Sequence, residues 1–148
     1  MQVHDRVSLI LKQKGNEVSS IAPTATVYDA LVLMATHQIG SLLVQDGNKV
    51  VGLLSERDYA RKIALLGRHS KETRVDEIMV HAPVTIPPDC PIEDAMRIMT
   101  DNRIRHLPVI GPSGGTLGII SIGDLVKWII ASQDATIAHL QSYIAGNV

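Results

Sequence analysis

Two polar segments of the chain each place a serine three residues before an aspartate, directly after an apolar run. They pair Ser55 with Asp58 and Ser121 with Asp124. A serine at the start of a helix with an acid three residues later is typical of a capping box. The same groups suit a nucleotide, because a carboxylate can accept both hydroxyl protons of a ribose and a helix start favours phosphate. Taken alone, the two segments fit capping and nucleotide binding equally well.

Two neighbouring residues that can carry positive charge stand at the start of a β-rich run in the second half of the chain. Arg105 and His106 stand where Gly40 and Ser41 stand in an earlier, similar run. One interpretation is a surface cation group beside the acidic second half of the chain. The other is a phosphate contact, because the planar guanidinium group suits phosphate. The difference between the two runs would then let one site hold phosphate better than the other.

Motifs typical of enzymes and metal sites are absent from the sequence or stand in the wrong context. The run 111–115 matches Gly-x-Ser-x-Gly, but it joins two predicted strands, whereas a nucleophile elbow joins a strand to a helix. Neither a P-loop nor a Gly-x-Gly-x-x-Gly motif occurs. The six histidines are scattered, and Cys90 is the single cysteine, so zinc-site spacing is lacking. We therefore predict neither catalysis nor a metal site.

The two serine–aspartate segments belong to a longer internal repeat. Residues 21–63 reappear in altered form at 86–129, with an offset of 65 up to the central turn and 66 after it. The coinciding positions are Ile21/Ile86, Asp29/Asp94, Ala30/Ala95, Met34/Met99, Ile39/Ile104, Val44/Val109, Gly52/Gly118, Ser55/Ser121, Asp58/Asp124 and Ile63/Ile129. Two such short copies are too small to be stable separately and too few for a solenoid. We predict a pair packed about a pseudo-twofold axis, along which clefts are natural ligand sites.

Each copy has the same predicted order of elements: an extended segment, a helix, a hairpin of two strands and a second helix. Apolar residues at helical spacing mark the first helices, from about Val27 and Ile92. Short β-rich runs followed by turn residues mark the hairpins. The predicted strands are Ser41–Gln45, Val50–Leu54, His106–Ile110 and Thr116–Ile120, and the second helices run from about Glu56 to Leu66 and Ile122 to Ser132.

Short helices are also predicted outside the repeat. Helical spacing predicts an amphipathic N-terminal helix that ends at Gly15 and a last helix over Thr136–Ala145. The connection between the copies should contain one helical turn before Pro83. The predicted divisions are a lead-in over 1–17, a first repeat over 18–66, a linker over 67–83, a second repeat over 84–132 and a C-terminal helix over 133–148.

Composition and charge favour a cytoplasmic globular protein. The chain has 148 residues, of which 45% are hydrophobic, yet no apolar run reaches the length of a membrane span. The N-terminus lacks the apolar region and cleavage site of a signal peptide. A net charge of −1 argues against general nucleic-acid binding. The basic stretch 57–74 fits a solvated helix face and loop, or a patch facing phosphate or a partner.

These features together resemble the tandem CBS module, named for the domains of cystathionine β-synthase and also called a Bateman module. The resemblance covers about residues 18–130. It is carried by the duplicated helix pattern, the run 104–109, and Gly52 and Gly118 ahead of Ser-x-x-Asp. The stretches SERDYARKIALLGR and SIGDLVKWII further resemble small stand-alone bacterial CBS proteins of the signal-transduction type. The resemblance implies an α+β fold in which each repeat has a short sheet and two helices.

The resemblance also implies a ligand, an adenosyl compound such as AMP, ADP, ATP, NAD(H) or S-adenosylmethionine, bound between the copies without catalysis. The implied ribose contacts are Asp58 and Asp124, helped by Ser55 and Ser121. The implied phosphate contacts are Arg105 and His106. The other implied contacts are backbone groups of Val18, Ser19, Val84 and Thr85 along the adenine, apolar walls from Ile39, Gly40 and Ile119, and an approach by Lys14.

The leading hypothesis is therefore a regulatory module, in which nucleotide binding biases an effector protein that this chain does not contain. The resemblance further implies a homodimer with four repeats in a flat disc. The alternative is an interaction module without a physiological nucleotide, with the C-terminal helix as its contact. Nucleic-acid binding through 57–74 is weaker, because only 3% of residues are aromatic. An enzyme is the weakest hypothesis.

Overall fold

A computed structural model of the chain describes residues 5–15 and 18–145, with six α-helices and six strands in these ranges. Parts of the predicted lead-in over 1–17 and of the predicted C-terminal division over 133–148 lie outside the described residues. The helices are α1 (Val7–Lys14), α2 (Val27–His37), α3 (Glu56–Tyr59), α4 (Val75–Ile78), α5 (Ile92–Asn102) and α6 (Ile122–Ile144). The strands are β1 (Ser20–Ile21), β2 (Ser41–Asp46), β3 (Lys49–Ser55), β4 (Val80–His81), β5 (His106–Ile110) and β6 (Thr116–Ser121).

The two copies share their backbone details. In each, the first helix ends at a residue with left-handed φ of 54°, Gln38 or Arg103, and the next amide donates back to a methionine carbonyl. This hydrogen bond satisfies a carbonyl group that the helix end leaves unpaired. The hairpins pair in the same register, and each has a bulge near its turn. The predicted α+β pair of repeats is confirmed in this architecture.

The sheets differ between the copies. Strands β1, β2, β3 and β4 form a four-stranded sheet in that order, whereas β5 and β6 form a two-stranded one. In both copies the residue before the first helix pairs in parallel with the first hairpin strand, through Ile21 with Val44 and Ile86 with Val109. Strand β4 pairs with β3, whereas among the described residues β6 pairs with β5 alone.

Each copy is completed by a helix that belongs, along the chain, to the lead-in of the other copy. Helix α1 precedes the first copy but packs into the core of the second, with Val7, Ile10 and Leu11 buried. Helix α4 follows the first copy and packs into that copy's core. The two docking positions are similar: the Val7 amide at the start of α1 donates to the Cys90 carbonyl at 2.9 Å, and the Val75 amide at the start of α4 donates to the Ala25 carbonyl at 2.8 Å. Helix α1 therefore links the two copies, because it precedes one and packs into the core of the other.

The C-terminal region differs from the prediction. A helix over 122–132 and a separate helix over 136–145 were predicted, but α6 runs without a break from Ile122 to Ile144. The polar stretch at 132–134 does not end the helix, because the Ser132 hydroxyl donates to the Trp128 carbonyl four residues earlier. Within the described ranges, no helix is long and apolar enough to cross a membrane.

The first copy's second helix is also irregular. Helix α3 continues as a π-helix over Ala60–Ala64, and Gly67 then turns the chain with a φ of 67°. A positive φ is readily accepted by glycine, which is why Gly67 marks the predicted helix end. A 3₁₀ turn over Ser70–Glu72 leads into α4, so the predicted helical turn before Pro83 is present.

Candidate functional site

A cavity of about 240 Å³ lies between the two copies. It brings together the lead-in after α1, the start of β2, and the strands β5 and β6. Eight of the residues predicted for the ligand site line it: Lys14, Val18, Ser19, Ile39, Gly40, His106, Ile119 and Ser121. Gly15 and Ser41 complete the lining. We call this cavity the inter-copy cleft.

Asp124 opens α6 beside the inter-copy cleft and is held in place from two sides. Its Oδ2 accepts hydrogen bonds from the Ser121 amide and from the Lys14 ammonium, both at 2.8 Å. The Asp124 amide donates in turn to the Ser121 hydroxyl at 3.1 Å, which is the predicted capping arrangement. The other carboxylate oxygen, Oδ1, accepts no hydrogen bond from any residue that the structure describes. A ligand hydroxyl can therefore approach Oδ1 without breaking a protein contact.

The charge of Asp124 is favoured in spite of its partial burial. Half-burial alone would raise the pKa of the Asp124 carboxyl. The hydrogen bonds from Lys14 and the Ser121 amide, together with the positive charge of Lys14, have a larger opposite effect, so the pKa is lowered. Asp124 is therefore an anionic acceptor throughout the neutral range. Anionic acceptors make the stronger hydrogen bonds, which suits paired hydroxyl donors.

Lys14 reaches the site because α1 is one turn longer than α4. Its ammonium donates to Asp124 and also to the Ile119 carbonyl, at 2.9 Å. Gly15 follows with a φ of 94° and turns the chain towards Val18 and Ser19. The sequence placed Lys14 in the site only through the family resemblance, since helical spacing does not show which core a helix will join.

His106 and Arg105 are adjacent in sequence but do not both line the inter-copy cleft. The half-buried His106 begins β5 and lines the cleft, whereas Arg105 is exposed and is not part of the lining. Burial, followed by the positive charges of Lys14 and Arg105, lowers the pKa of His106, so its imidazole is neutral at neutral pH in the free protein. In the free protein, therefore, the member of the predicted pair that lines the cleft carries no charge.

The equivalent site in the first copy is more fully occupied by protein groups. Asp58 accepts from the Ser55 amide at 2.9 Å and from the Ser55 hydroxyl at 3.0 Å, both through Oδ2. Its Oδ1 lies 3.5 Å from the ammonium of Lys62, which also donates to the Ile78 carbonyl. Both oxygens of Asp58 are thus engaged, unlike those of Asp124. Capping accounts for the Asp58 contacts seen.

Five of the predicted site residues line neither the inter-copy cleft nor the neighbouring cavity described next. Two of them, Val84 and Thr85, are exposed on the segment that leads into the second copy. The others are Ser55, Asp58 and Arg105. The structure therefore separates the fourteen predicted residues into nine that line one or both cavities and five that line neither.

A larger cavity of about 480 Å³ adjoins the cleft, and the sequence did not indicate it. It lies between α1 and α6, and Lys14 lines both cavities. We call it the α1–α6 cavity. The face of α6 that lines it is spaced at i, i+3, i+4 and i+7 from Asp124, so this helical stripe was the available signal. Its full lining is Ile10, Gln13, Lys14, Asp124, Lys127, Trp128, Ala131 and Ser132.

The basic stretch 57–74 is neutralised mainly by near neighbours. Arg68 pairs with Glu77 at 2.9 Å and Arg74 pairs with Asp76 at 2.7 Å. The Lys71 ammonium lies 4.7 Å from the ring centre of Tyr28. These contacts favour the interpretation of a solvated surface over that of a concentrated phosphate-binding patch. Among residues 5–15 and 18–145, no group of three or more His, Cys, Asp or Glu side chains could hold a metal ion.

A pseudo-twofold pair of sheet-and-helix units with a polar cleft between them defines a tandem CBS protein. Residues 15–65 and 75–131 match the family model for the CBS domain. The chain therefore belongs to the CBS domain family. It is similar to CBSX3, a mitochondrial CBS domain-containing protein of Arabidopsis thaliana, with 38% identity over 149 residues that cover 95% of this chain and 72% of CBSX3.

Solved structures share the fold. A protein with CBS domains from Burkholderia ambifaria is 45% identical to this chain, with a TM-score of 0.83, and the match covers 87% of this chain and 96% of the other. A CBS domain protein from Pyrobaculum aerophilum, solved in complex with AMP, is 24% identical. Its TM-score is 0.73, and the match covers 81% of this chain and 89% of the other.

Proposed function

We propose that this protein is a regulatory module that binds an adenine nucleotide in the inter-copy cleft and does not transform it. The observation that carries the proposal is the Asp124 carboxylate, which is ionised, positioned by Ser121 and Lys14, and open at Oδ1 beside a cavity between the copies. The AMP complex of the Pyrobaculum relative adds support at the level of the fold. Binding of AMP, ADP, ATP or NAD(H) would use this one cleft.

The placement of the nucleotide follows from the chemistry of the cleft lining and of Asp124, which lines the adjoining α1–α6 cavity. The ribose hydroxyls donate to Asp124, with the Ser121 hydroxyl beside them. The adenine lies along the backbone of 18–19, between the apolar walls of Ile39 and Ile119. The phosphate then faces His106 and the ammonium of Lys14. Ribose at Oδ1 of Asp124 would leave the Lys14 ammonium on Oδ2, where the same ammonium can also attract the phosphate.

A signal can leave the cleft through the elements that line it. Helix α1 carries Lys14 at its last turn, and α6 carries Asp124 at its first turn and extends to Ile144. A phosphate beside the Lys14 ammonium would weaken the attraction between Lys14 and Asp124, which is the contact that joins the end of α1 to α6. The catalytic motifs considered in the sequence analysis are absent from this chain or stand in the wrong context. We therefore expect an effector protein to bind these helices and respond to the change.

The decisive experiment compares Asp124→Asn with Asp58→Asn, the matched change in the other copy. Titration calorimetry with AMP should show roughly 10–100-fold weaker binding for Asp124→Asn, because a charged acceptor is lost. Asp58→Asn should retain AMP affinity within about twofold. Thermal unfolding of both variants checks that the fold persists, since each also loses part of a helix cap.

The outcome that would sink the proposal is AMP, ADP, ATP and NAD(H) all failing to bind the wild-type protein freed of carried-over nucleotide. Equal weakening by both substitutions would instead place a ligand at each aspartate. Two ligands bound per chain would independently indicate one ligand at Asp58 and one at Asp124.

A second candidate function is that of an interaction module, and the outer half of α6 favours it. Ile130, Ile137 and Ile144 recur every seven residues and are exposed, as is Leu140. A seven-residue apolar repeat is typical of a helix that pairs with another helix. The occupant that fits is the same stripe on a second copy of the chain, which would give a homodimer through α6.

A further inference from the structure

We propose that Glu56 is a specificity-determining residue of the inter-copy cleft, which disfavours a long phosphate chain and so selects AMP over ATP. The inference rests on the proposed binding of an adenine nucleotide and adds the residue that chooses among such ligands. Glu56 is not among the residues that the sequence predicted for the site. Two observations carry the inference: the position of the Glu56 carboxylate and the scarcity of positive charge in the cleft.

Glu56 begins α3 and stands directly beside the wall of the cleft. Its backbone amide donates to the Gly40 carbonyl at 3.0 Å, and Gly40 lines the cleft. A β-carbon built on Gly40 would lie 3.9 Å from Oε2 of Glu56, so the carboxylate is next to a residue of the cleft wall. The carboxylate forms no ion pair and accepts no hydrogen bond from any residue that the structure describes. Its negative charge is therefore not offset by a neighbouring cation.

The carboxylate beside the cleft is a feature of the first copy alone. The backbone hydrogen bond is repeated in the second copy, where the Ile122 amide donates to the Arg105 carbonyl at 2.9 Å. At the two positions joined by this bond, the first copy has Glu and Gly, whereas the second copy has Ile and Arg. The first copy therefore lacks a cation at this place and has an anion instead.

Positive charge inside the cleft is also scarce. Among the described residues that line it, Lys14 alone carries a full positive charge, and its ammonium lies 2.8 Å from the Asp124 carboxylate. Burial chiefly lowers the pKa of His106, and the negative charges of Asp124 and Glu56 oppose this lowering. The charge of Glu56 thus reaches the imidazole, and it would also act on a phosphate that faces His106.

A cleft with these charges distinguishes nucleotides by the length of the phosphate chain. The single phosphate of AMP can be balanced by Lys14 and by His106 once the imidazole takes up a proton. Each further phosphate of ATP adds negative charge that the described lining does not balance, and the repulsion from Glu56 increases with it. A cleft volume of about 240 Å³ also leaves little room for a longer chain.

The test compares Glu56→Gln with Glu72→Gln, which removes the same charge from an exposed residue of the 3₁₀ turn before α4. Titration calorimetry in magnesium-free buffer gives the dissociation constants of AMP and ATP. The wild type should bind AMP at least about fivefold more tightly than ATP. Glu56→Gln should strengthen ATP binding roughly three- to tenfold and AMP binding by no more than about twofold. Glu72→Gln should change neither dissociation constant by more than about twofold.

Salt provides a readout that a purely structural role of Glu56 would not change. The gain in ATP affinity on going from wild type to Glu56→Gln should shrink as the NaCl concentration rises, because salt screens the repulsion. Glu56→Lys should strengthen ATP binding further than Glu56→Gln does. Thermal unfolding checks that both variants remain folded, since an acid at a helix start also contributes to stability.

The outcomes separate this inference from the proposed function. Tighter binding of ATP than of AMP by the wild type, or an unchanged ratio of the two dissociation constants in Glu56→Gln, would overturn the role of Glu56 and leave nucleotide binding intact. Weaker AMP binding by Glu56→Gln would also overturn it, because the carboxylate would then be a ligand contact. Equal effects of Glu56→Gln and Glu72→Gln would attribute the change to net charge and overturn the local role. Failure of AMP, ADP, ATP and NAD(H) to bind either the wild type or Glu56→Gln would overturn both proposals.

Discussion

At the residue scale, the same serine–aspartate motif has different freedom in the two copies. The aspartate is positioned by the serine in both. In the first copy Lys62, four residues along the same helix, engages the second oxygen of Asp58. In the second copy the cation is Lys14, which comes from a distant helix and shares the oxygen already used for capping. A sequence repeat therefore does not ensure a repeated binding site.

The neutral state of His106 leads to a pH-dependent prediction. Phosphate placed beside the imidazole would raise its pKa from the lowered value of the free protein. Binding then takes up a proton, so AMP affinity should increase as the pH falls from about 7.5 towards about 5.5, around the ordinary histidine pKa. Calorimetry of wild type and His106→Gln at several pH values measures this.

The His106→Gln variant is the control as well as the test. AMP phosphate itself titrates near pH 6, and this contribution is the same for both proteins. The ratio of the wild-type AMP affinity to that of His106→Gln should therefore increase as the pH falls. Parallel pH profiles for the two proteins would contradict a phosphate contact at His106.

The residues of the site could be predicted only in part from the sequence. The strand-to-helix position of Ser121 and Asp124 followed from local pattern, because capping is a short-range property. The neutral state of His106 and the contact of Lys14 with Asp124 could not be predicted from local pattern, because both depend on how α1 packs against the second copy. Trp128 was missed for the same reason: its helical stripe becomes a cavity wall only opposite α1.

At the element scale, two glycines control how closely the lead-in helices approach the hairpins. A β-carbon on Gly118 would stand 2.5 Å from Cδ2 of the buried Leu11 on α1. A β-carbon on Gly52 would contact the Met79 side chain after α4 and lie 3.0 Å from the Val80 carbonyl. The duplicated glycine thus reflects the same close packing in both cores.

Alanine at these two positions should separate stability from binding. Gly118→Ala and Gly52→Ala should each lower the free energy of unfolding by about 1–3 kcal/mol, because the tight contacts cannot relax freely. Only Gly118→Ala should also weaken AMP binding, because it displaces the helix that carries Lys14. Urea unfolding and calorimetry give the two quantities. Similar AMP affinities in both variants would show that α1 does not shape the site.

The helices themselves were predicted with uneven success, and α6 shows why. The sequence indicates an apolar helical face on both sides of 132–134. The polar residues at 132–134 were interpreted as the end of one helix, although α6 continues through them. A serine inside a helix can bond back to the preceding turn, as Ser132 does to Trp128. The continuity of α6 joins the first turn at Asp124 to the exposed stripe near Ile144 in one helix.

At the scale of the whole molecule, the exposed stripe of α6 predicts self-association. The side chains of Ile137 and Leu140 are 52% and 53% exposed, which is unusual for neighbouring apolar residues on one face. Light scattering coupled to size exclusion should give twice the mass of the chain for the wild type. Leu140→Asp should give a single chain mass, because a buried carboxylate would disrupt the pair.

The control places the same charge on the opposite face of α6. Ser142 is exposed and lies away from the stripe, so Ser142→Asp should leave the dimer intact. A wild-type protein that is a single chain at all concentrations would rule out the homodimer. A dimer that survives Leu140→Asp would locate the interface on another face, such as the disc expected from the family resemblance.

The packing of α1 makes the two halves of the molecule unequal. Helix α4 directly follows the first copy and packs into its core, so residues 18–81 contain that copy together with the helix that completes it. The second copy is completed by α1 at the opposite end of the chain, through the buried Val7, Ile10 and Leu11. Removal of the residues before the first copy would therefore expose the core of the second copy, which lies farthest from the cut in sequence.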